Sequence, residues 1–187
     1  MIEVGQDTLE PFNYFTTKQN KYGVICGPKG VGNSTVAAAL GVKSGGPLTL
    51  VAYQEYHDFL ITKLTTDDNT PESIPLPDLL KHLNKRMLDA PETEMFLLDG
   101  FDLGEGKFND LVNALGKPQF FVRTTASEET VTNRYKAKVG AEELSDEDKE
   151  NISKAISNAQ QISDMIDTMV NENLFVTVYD VNVDQEQ

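Results

Sequence analysis

"GPKGVGNST", residues Gly27–Thr35, follows directly on "YGVIC" (22–26), and that junction decides the fold. A short apolar run that ends in a glycine-rich loop suits a buried parallel strand. "STVAAAL" continues from the loop as a helix that starts near Gly32–Asn33, with Gly41 as its expected stop. Strand, loop and helix in this register match the phosphate-binding pattern G-x-x-x-x-G-K-[ST] at Gly27, Gly32 and Ser34. Such a loop wraps successive backbone N–H groups around a phosphate while the helix directs its positive end at it. The lysine of the pattern is replaced by Asn33.

Working outward, strands and helices alternate. "PLTLVA" (47–52) reads as a strand and "YQEYHDFLITKL" (53–64) as a helix, with Tyr56, Leu60 and Leu64 on one stripe. "TTDDNTPESIP" is a loop, followed by a helix from about Pro77 to Leu88. "EMFLLDG" (94–100) is a central strand meeting a turn, "GKFNDLVNAL" a short helix, and "PQFFVRTTA" (118–126) another strand. A helix over Ser127–Lys138 precedes "VGAEELSDEDKE", where Ser145 and Asp148 have the spacing of a helix start. Ile152, Ile156, Ala159, Ile162, Ile166 and Met169 mark one face of a long helix, and "LFVTVYDV" (174–181) closes as a strand. This pattern predicts an α/β three-layer sandwich around a five-stranded parallel sheet, with "YGVIC" central beside "EMFLLDG". Ligands of such sheets bind outside the carboxyl ends of the strands, where Gly27 and Asp99 both fall. Residues 1–20, with Pro11, Phe12, Tyr14 and Phe15, read as an extension, and 21–187 as one domain.

Charge narrows the function classes. The net charge of −14 argues against nucleic-acid backbones and anionic membrane surfaces as partners. Any phosphate site is therefore a local exception. The 16 basic residues are 13 lysines and only three arginines: Arg86, Arg123 and Arg134. Cys26 is the single cysteine and lies in an apolar run, as a buried structural thiol does. His57 and His82 are isolated, which gives no structural-metal spacing. No apolar stretch approaches the ~20 residues of a membrane span and the amino terminus has no signal pattern, so the expected compartment is the reducing cytoplasm.

In the loop, Gly27, Lys29, Gly30, Val31, Gly32, Asn33, Ser34 and Thr35 are the candidate nucleotide contacts. A loop lysine supplies a charge-assisted donor worth ~1.5–3 kcal/mol. Its absence costs roughly ten- to a hundredfold in affinity without removing the backbone donors. Lys29, at the crest, is either a second source of that charge or a solvated lysine. Ser34 or Thr35 offers a hydroxyl to Mg²⁺, and Asp99, after "MFLL", has the form of an acid that orients Mg²⁺ through water. The alternative for Asp99 is an Asp-Gly turn with no ligand.

In this order the motifs resemble the adenylate kinase family of nucleoside monophosphate kinases. "GPKGVGNST" is similar to the family's opening loop, and "IPLPDLLKHLNKRML" (74–88) to its Val/Ile-Pro segment and following helix. "FLLDGFDL" (96–103) looks like its hydrophobic-Asp-Gly-Phe-Pro-Arg motif, and "ASEETVTNRYKAK" (126–138) like its helix with two arginines four apart. The last helix and strand also match, so the resemblance spans roughly residues 20–182. It implies an adenine contact at Arg134 and a reduced acidic lid at about 139–146.

The departures fall on the chemistry. The loop lysine is Asn33; the Pro-Arg that contacts the acceptor phosphate is Asp102-Leu103; Lys138 replaces the second lid arginine. No arginine precedes Arg86, and Ala155 stands near another expected arginine. Phosphoryl transfer depends on positioned positive charge, and one arginine at the transition state is worth ~10³–10⁵ in rate. The expectation is a catalytically degenerate domain that binds Mg-ATP or ADP weakly and meets a protein partner. The resemblance extends to degenerate domains of ciliary and flagellar proteins, which gives a cytoskeletal or ciliary setting as one expectation. Two alternatives stay open: an active, divergent nucleoside monophosphate kinase relying on Lys29 and Lys138, and a scaffold that binds no nucleotide.

Overall fold

A computed structural model describes residues 21–43, 48–66, 70–104, 106–171 and 177–185. The expected extension over residues 1–20 lies outside these, as do Pro47 and the first part of the closing strand. Five strands, β1 (Tyr22–Cys26), β2 (Leu48–Ala52), β3 (Met95–Asp99), β4 (Phe120–Thr125) and β5 (Thr177–Asn182), form one sheet in the order β2-β3-β1-β4-β5. Every pairing is parallel, with Val24 opposite Leu98 on one side and Phe121 on the other. β1 is central beside β3, as predicted.

The helices are α1 (Asn33–Lys43), α2 (Tyr53–Leu64), α3 (Leu76–Asp89), α4 (Lys107–Leu115), α5 (Glu128–Val139) and α6 (Asp146–Asn171). Strand alternation sorts the core into two faces. Tyr22, Val24, Phe96, Leu98 and Phe121 point to the face covered by α2, α3, α4 and the end of α6. Ile25, Leu97 and Val122 point to the opposite face, against Val36 and Ala37 of α1. Helix α3 shows why the sequence folds this way: Leu79, Leu80, Leu83 and Met87 make one buried stripe. Each such side chain contributes about 1.5–3 kcal/mol by leaving water.

Helix ends follow the expected chemistry. Ser127 caps α5 by accepting from Thr130 N–H, and the Ser145 and Asp148 side chains exchange bonds with each other's backbone N–H at the start of α6. Each cap is worth about 1 kcal/mol. Gly41 departs from expectation. α1 passes through it to Lys43, because nothing crowds Gly41 and its backbone stays right-handed. Leu64 also departs: it ends the stripe of α2 at the surface, 39% exposed.

Candidate functional site

The carboxyl ends of β1, β3 and β4 converge on the loop. Gly27 has no room for a side chain, since a Cβ there would stand 1.8 Å from Thr124 Oγ1. The loop crest has positive φ at Gly30 (88°) and Gly32 (103°), which only glycine adopts without strain. Val31 is fully buried against Val131, Ile152 and Val183, so one apolar side chain anchors the loop to α5, α6 and the turn after β5. The path ends in the first turn of α1, where Ser34 and Thr35 are exposed and Thr35 and Val36 donate to Gly32 O.

Asn33 turns inward. Its Nδ2 donates to Gly27 O at 3.4 Å, and its Oδ1 accepts from Thr124 Oγ1. The Thr124 hydroxyl also lies 3.1 Å from Cys26 O, so its single proton has two acceptors within reach. Where the pattern has a lysine directed at phosphate, this chain has an amide that ties the loop to β4. Thr124 is a loop-positioning residue that the sequence reading missed. Its signal, a threonine at the end of the strand beside β1, exists only once the strand order is known.

Asp99 and Thr124 are the two buried polar side chains among the described residues, 4% and 2% exposed. Asp99 is the last residue of β3 and Thr124 the last but one of β4, the strands that flank β1, and both face α1 by the same alternation that places Leu97 and Val122 there. Thr124 is bonded; no hydrogen bond or ion pair among the described residues engages the Asp99 carboxylate. A buried carboxylate without a partner costs several kcal/mol unless a cation or donor joins it. Asp99 ends β3 at the same carboxyl edge from which the loop leaves β1.

Arg134 reaches the loop from α5. Its Nη1 donates to Val31 O, and a Cβ on Gly32 would come within 3.0 Å of it. Lys138, one turn further along α5, is exposed, as is Lys29 at the crest. Lys29 does act on Asp102, whose carboxyl lies below its ordinary value through a hydrogen bond from Lys107, helped by Gly104 N–H and the charge of Lys29. The other two arginines are committed elsewhere. Arg123 donates to Asp180 at 2.6 Å, Asp167 at 2.7 Å and Ser163 at 2.9 Å, stapling β4 to β5 and α6. Arg86 lies over the rings of Tyr56 and Phe96, 5.6 and 5.9 Å from their centroids.

The β2–β3 side of the same edge is aromatic and apolar. Tyr53, at the start of α2, packs edge-on against Phe101 at 5.3 Å and stacks with His57 at 6.0 Å. Phe101 and Leu103 are buried, 7% and 3% exposed, so the position expected to carry the acceptor arginine holds a core leucine. His57 Nε2 accepts from Ile74 N–H, pinning the loop before α3 to α2.

No protein-family model matches this chain, and no curated protein matches its sequence. Among solved structures, it is similar to a gluconokinase from Sinorhizobium meliloti 1021, with a TM-score of 0.53 and 16% identity over 90% of this chain and 85% of that one. At that identity the likeness carries the fold alone, which is a P-loop kinase-like α/β fold. Among the described residues no helix is long and apolar enough to cross a membrane.

Proposed function

We propose that the chain is a catalytically degenerate, adenylate kinase-like domain that keeps a weak site for Mg-ATP or ADP and serves as a regulatory or structural module for a protein partner. The observation that carries this reading is the placement of its three arginines. Arg123 is held by Asp167 and Asp180, Arg86 lies over two aromatic rings, and only Arg134 touches the loop. A nucleotide's phosphates would find backbone N–H groups at Gly30–Thr35, one guanidinium, and Lys29 and Lys138 within the reach of flexible stems. Ser34 and Asp99 would hold Mg²⁺ and its waters, and the bound cation would supply charge neutralisation between the phosphates. An acceptor monophosphate would find Tyr53, Phe101 and Leu103.

Binding tolerates this arrangement because the main chain does most of it. Transfer does not, because the charge that develops on the equatorial oxygens needs several fixed cations. The test pairs two measurements on the intact chain. Calorimetric titration is expected to give weak ATP and ADP binding and far weaker AMP binding, and ADP formation from ATP plus AMP is expected at background. Robust turnover would establish the divergent active kinase instead. Absence of any nucleotide binding would leave a scaffold, and equal AMP and ADP affinities would mean the acceptor side is the half that works.

A further inference from the structure

The two edge strands of the sheet differ. β5 carries Asp180, bound by Arg123, and a charge on an edge strand discourages pairing with another chain. β2, "LTLVA", has no charge, no proline and no bulge, and all five of its residues pair in register with β3. Among the described residues no strand pairs with its other side, so it presents a row of open N–H and C=O groups. Both faces beside this edge are apolar. Leu50 lies opposite Leu97 in register, which turns it to the α1 face, and it is 38% exposed. α1 itself, "NSTVAAALGVK", has no acidic residue. On the other face, Phe59 of α2 is 53% exposed and stacks with Tyr56 at 6.1 Å. A pocket ligand would cover one of these faces; an added strand runs between them and covers both.

Charge selects the occupant. The net charge of −14 makes one copy of this chain repel another over most of its surface. The rim beside β2 is an exception, since Lys63, Lys85 and Arg86 stand there with Glu55, Asp89 and Glu94, three of each sign. None of the three cations has a carboxylate within ion-pair distance among the described residues. A rim balanced within itself is self-complementary under a two-fold axis, which sets the cations of each copy toward the acids of the other. A partner carrying a large charge of either sign gains nothing from it.

We propose that β2 is the interface of a homodimer, in which the β2 strands of two copies pair about Leu50 and join two five-stranded sheets into one. A two-fold axis at this edge makes the new pairing antiparallel and sets the two Leu50 residues side by side. The open backbone groups of β2 are then satisfied, and Leu50 and Phe59 leave water together. The proposal does not depend on the loop binding nucleotide.

Analytical ultracentrifugation of the full chain at tens of micromolar is expected to show a dimer. Leu50→Lys places two like charges side by side at the axis and should raise the dissociation constant roughly a hundredfold. Tyr179→Lys, on the opposite edge strand and 57% exposed, should leave it unchanged. A monomeric wild type, a dimer indifferent to Leu50→Lys, or a dimer lost on Tyr179→Lys would each overturn the proposal. Disulfide trapping decides the matter even where Leu50→Lys does not fold. Opposed Cα atoms lie about 4.5–5.5 Å apart across an antiparallel pair, within the span of a disulfide. Leu50→Cys is therefore expected to oxidise to a covalent dimer and Tyr179→Cys to stay monomeric. Native Cys26 does not compete, because it is buried and burial pushes its thiol up to about 12. Equal cross-linking at both positions, or none at residue 50, would show that the two strands do not meet.

Discussion

The two halves of the sheet's carboxyl edge are built differently. Around β1 and β4 the loop has its glycines, its positive-φ crest and an arginine on its flank, and the buried Asp99 ends β3 next to β1. Around β2 and β3 the same edge carries Tyr53, His57, Phe101 and Leu103, a small aromatic core. The difference follows from what each half is made of. A phosphate nest is built from backbone N–H groups and depends on side chains only where their absence or shape permits the path. An acceptor site is built from guanidinium groups, and a substitution removes each one completely. The first kind of site tolerates side-chain substitution and the second does not.

The change expected to break this contrast most sharply is Gly27→Val. A Cβ there meets Thr124 Oγ1 at 1.8 Å and Thr124 O at 2.6 Å, and the second contact is backbone that cannot rotate away. The loop must leave β4, at a cost of about 3 kcal/mol, and ATP binding should vanish with it. Thermal melts and nucleotide titration of the one variant check both. Intact ATP affinity in a folded variant would mean the loop is not the site.

Asn33→Lys sharpens the contrast from the other side. Adding one charged donor at a preformed nest gains roughly ten- to a hundredfold in affinity. In this chain the gain should lie near tenfold, because Asn33 also ties Gly27 O to Thr124, and that tie is worth about 1 kcal/mol of loop order. ADP production should stay at background, since the one guanidinium on the β2–β3 side, Arg86, is held over Tyr56 and Phe96. Turnover appearing in this variant alone would place the whole defect at residue 33.

Much of this could be read before the structure. Strand–helix alternation, the central place of β1 and the Ser145–Asp148 cap are local or periodic signals, and each was legible. Three things were not. Gly41 has the composition of a helix stop but lacks the left-handed turn that makes one, and composition does not carry dihedral angles. The Thr124–Asn33 tie spans 91 residues and Arg123–Asp180 spans 57, so neither has a sequence spacing to betray it. That Leu103 departs from the pattern the sequence resembles was legible, but not that the leucine lies in the core, which is a property of packing.

Asp99→Asn gives a smaller effect with opposite signs on stability and binding. Removing a buried carboxylate that has no partner among the described residues should raise the stability of the free chain by about 1 kcal/mol, since an amide is cheaper to bury than a carboxylate. Mg-ATP affinity should fall about tenfold while Mg-free ADP affinity barely moves, one water-mediated cation contact being lost. A destabilised variant would mean that the carboxylate has a structural partner and that the acid is part of the scaffold rather than of the site.

The smallest expected effect concerns the arginine that the site does not have. Arg123 faces Asp167 and Asp180 from β4, and its guanidinium is pushed above the usual arginine value first by the hydrogen bond it donates to Asp180. Asp180 answers in kind: the Arg123 hydrogen bond holds its carboxyl below the ordinary 3.8. Between those two values the unfolded chain binds more protons than the folded one, so stability rises with pH there. The contribution is complete above about pH 5 and fades as acid titrates the folded carboxylate below its ordinary value. Asp180 is 58% exposed, so solvent screening limits the pair to about 1 kcal/mol or less. Arg123→Met should therefore flatten the acid limb of a melt-versus-pH curve and leave ATP affinity at pH 7 unchanged. A loss of nucleotide affinity in that variant would return Arg123 to the site, and the halves would then differ less in their cations than in where those cations point.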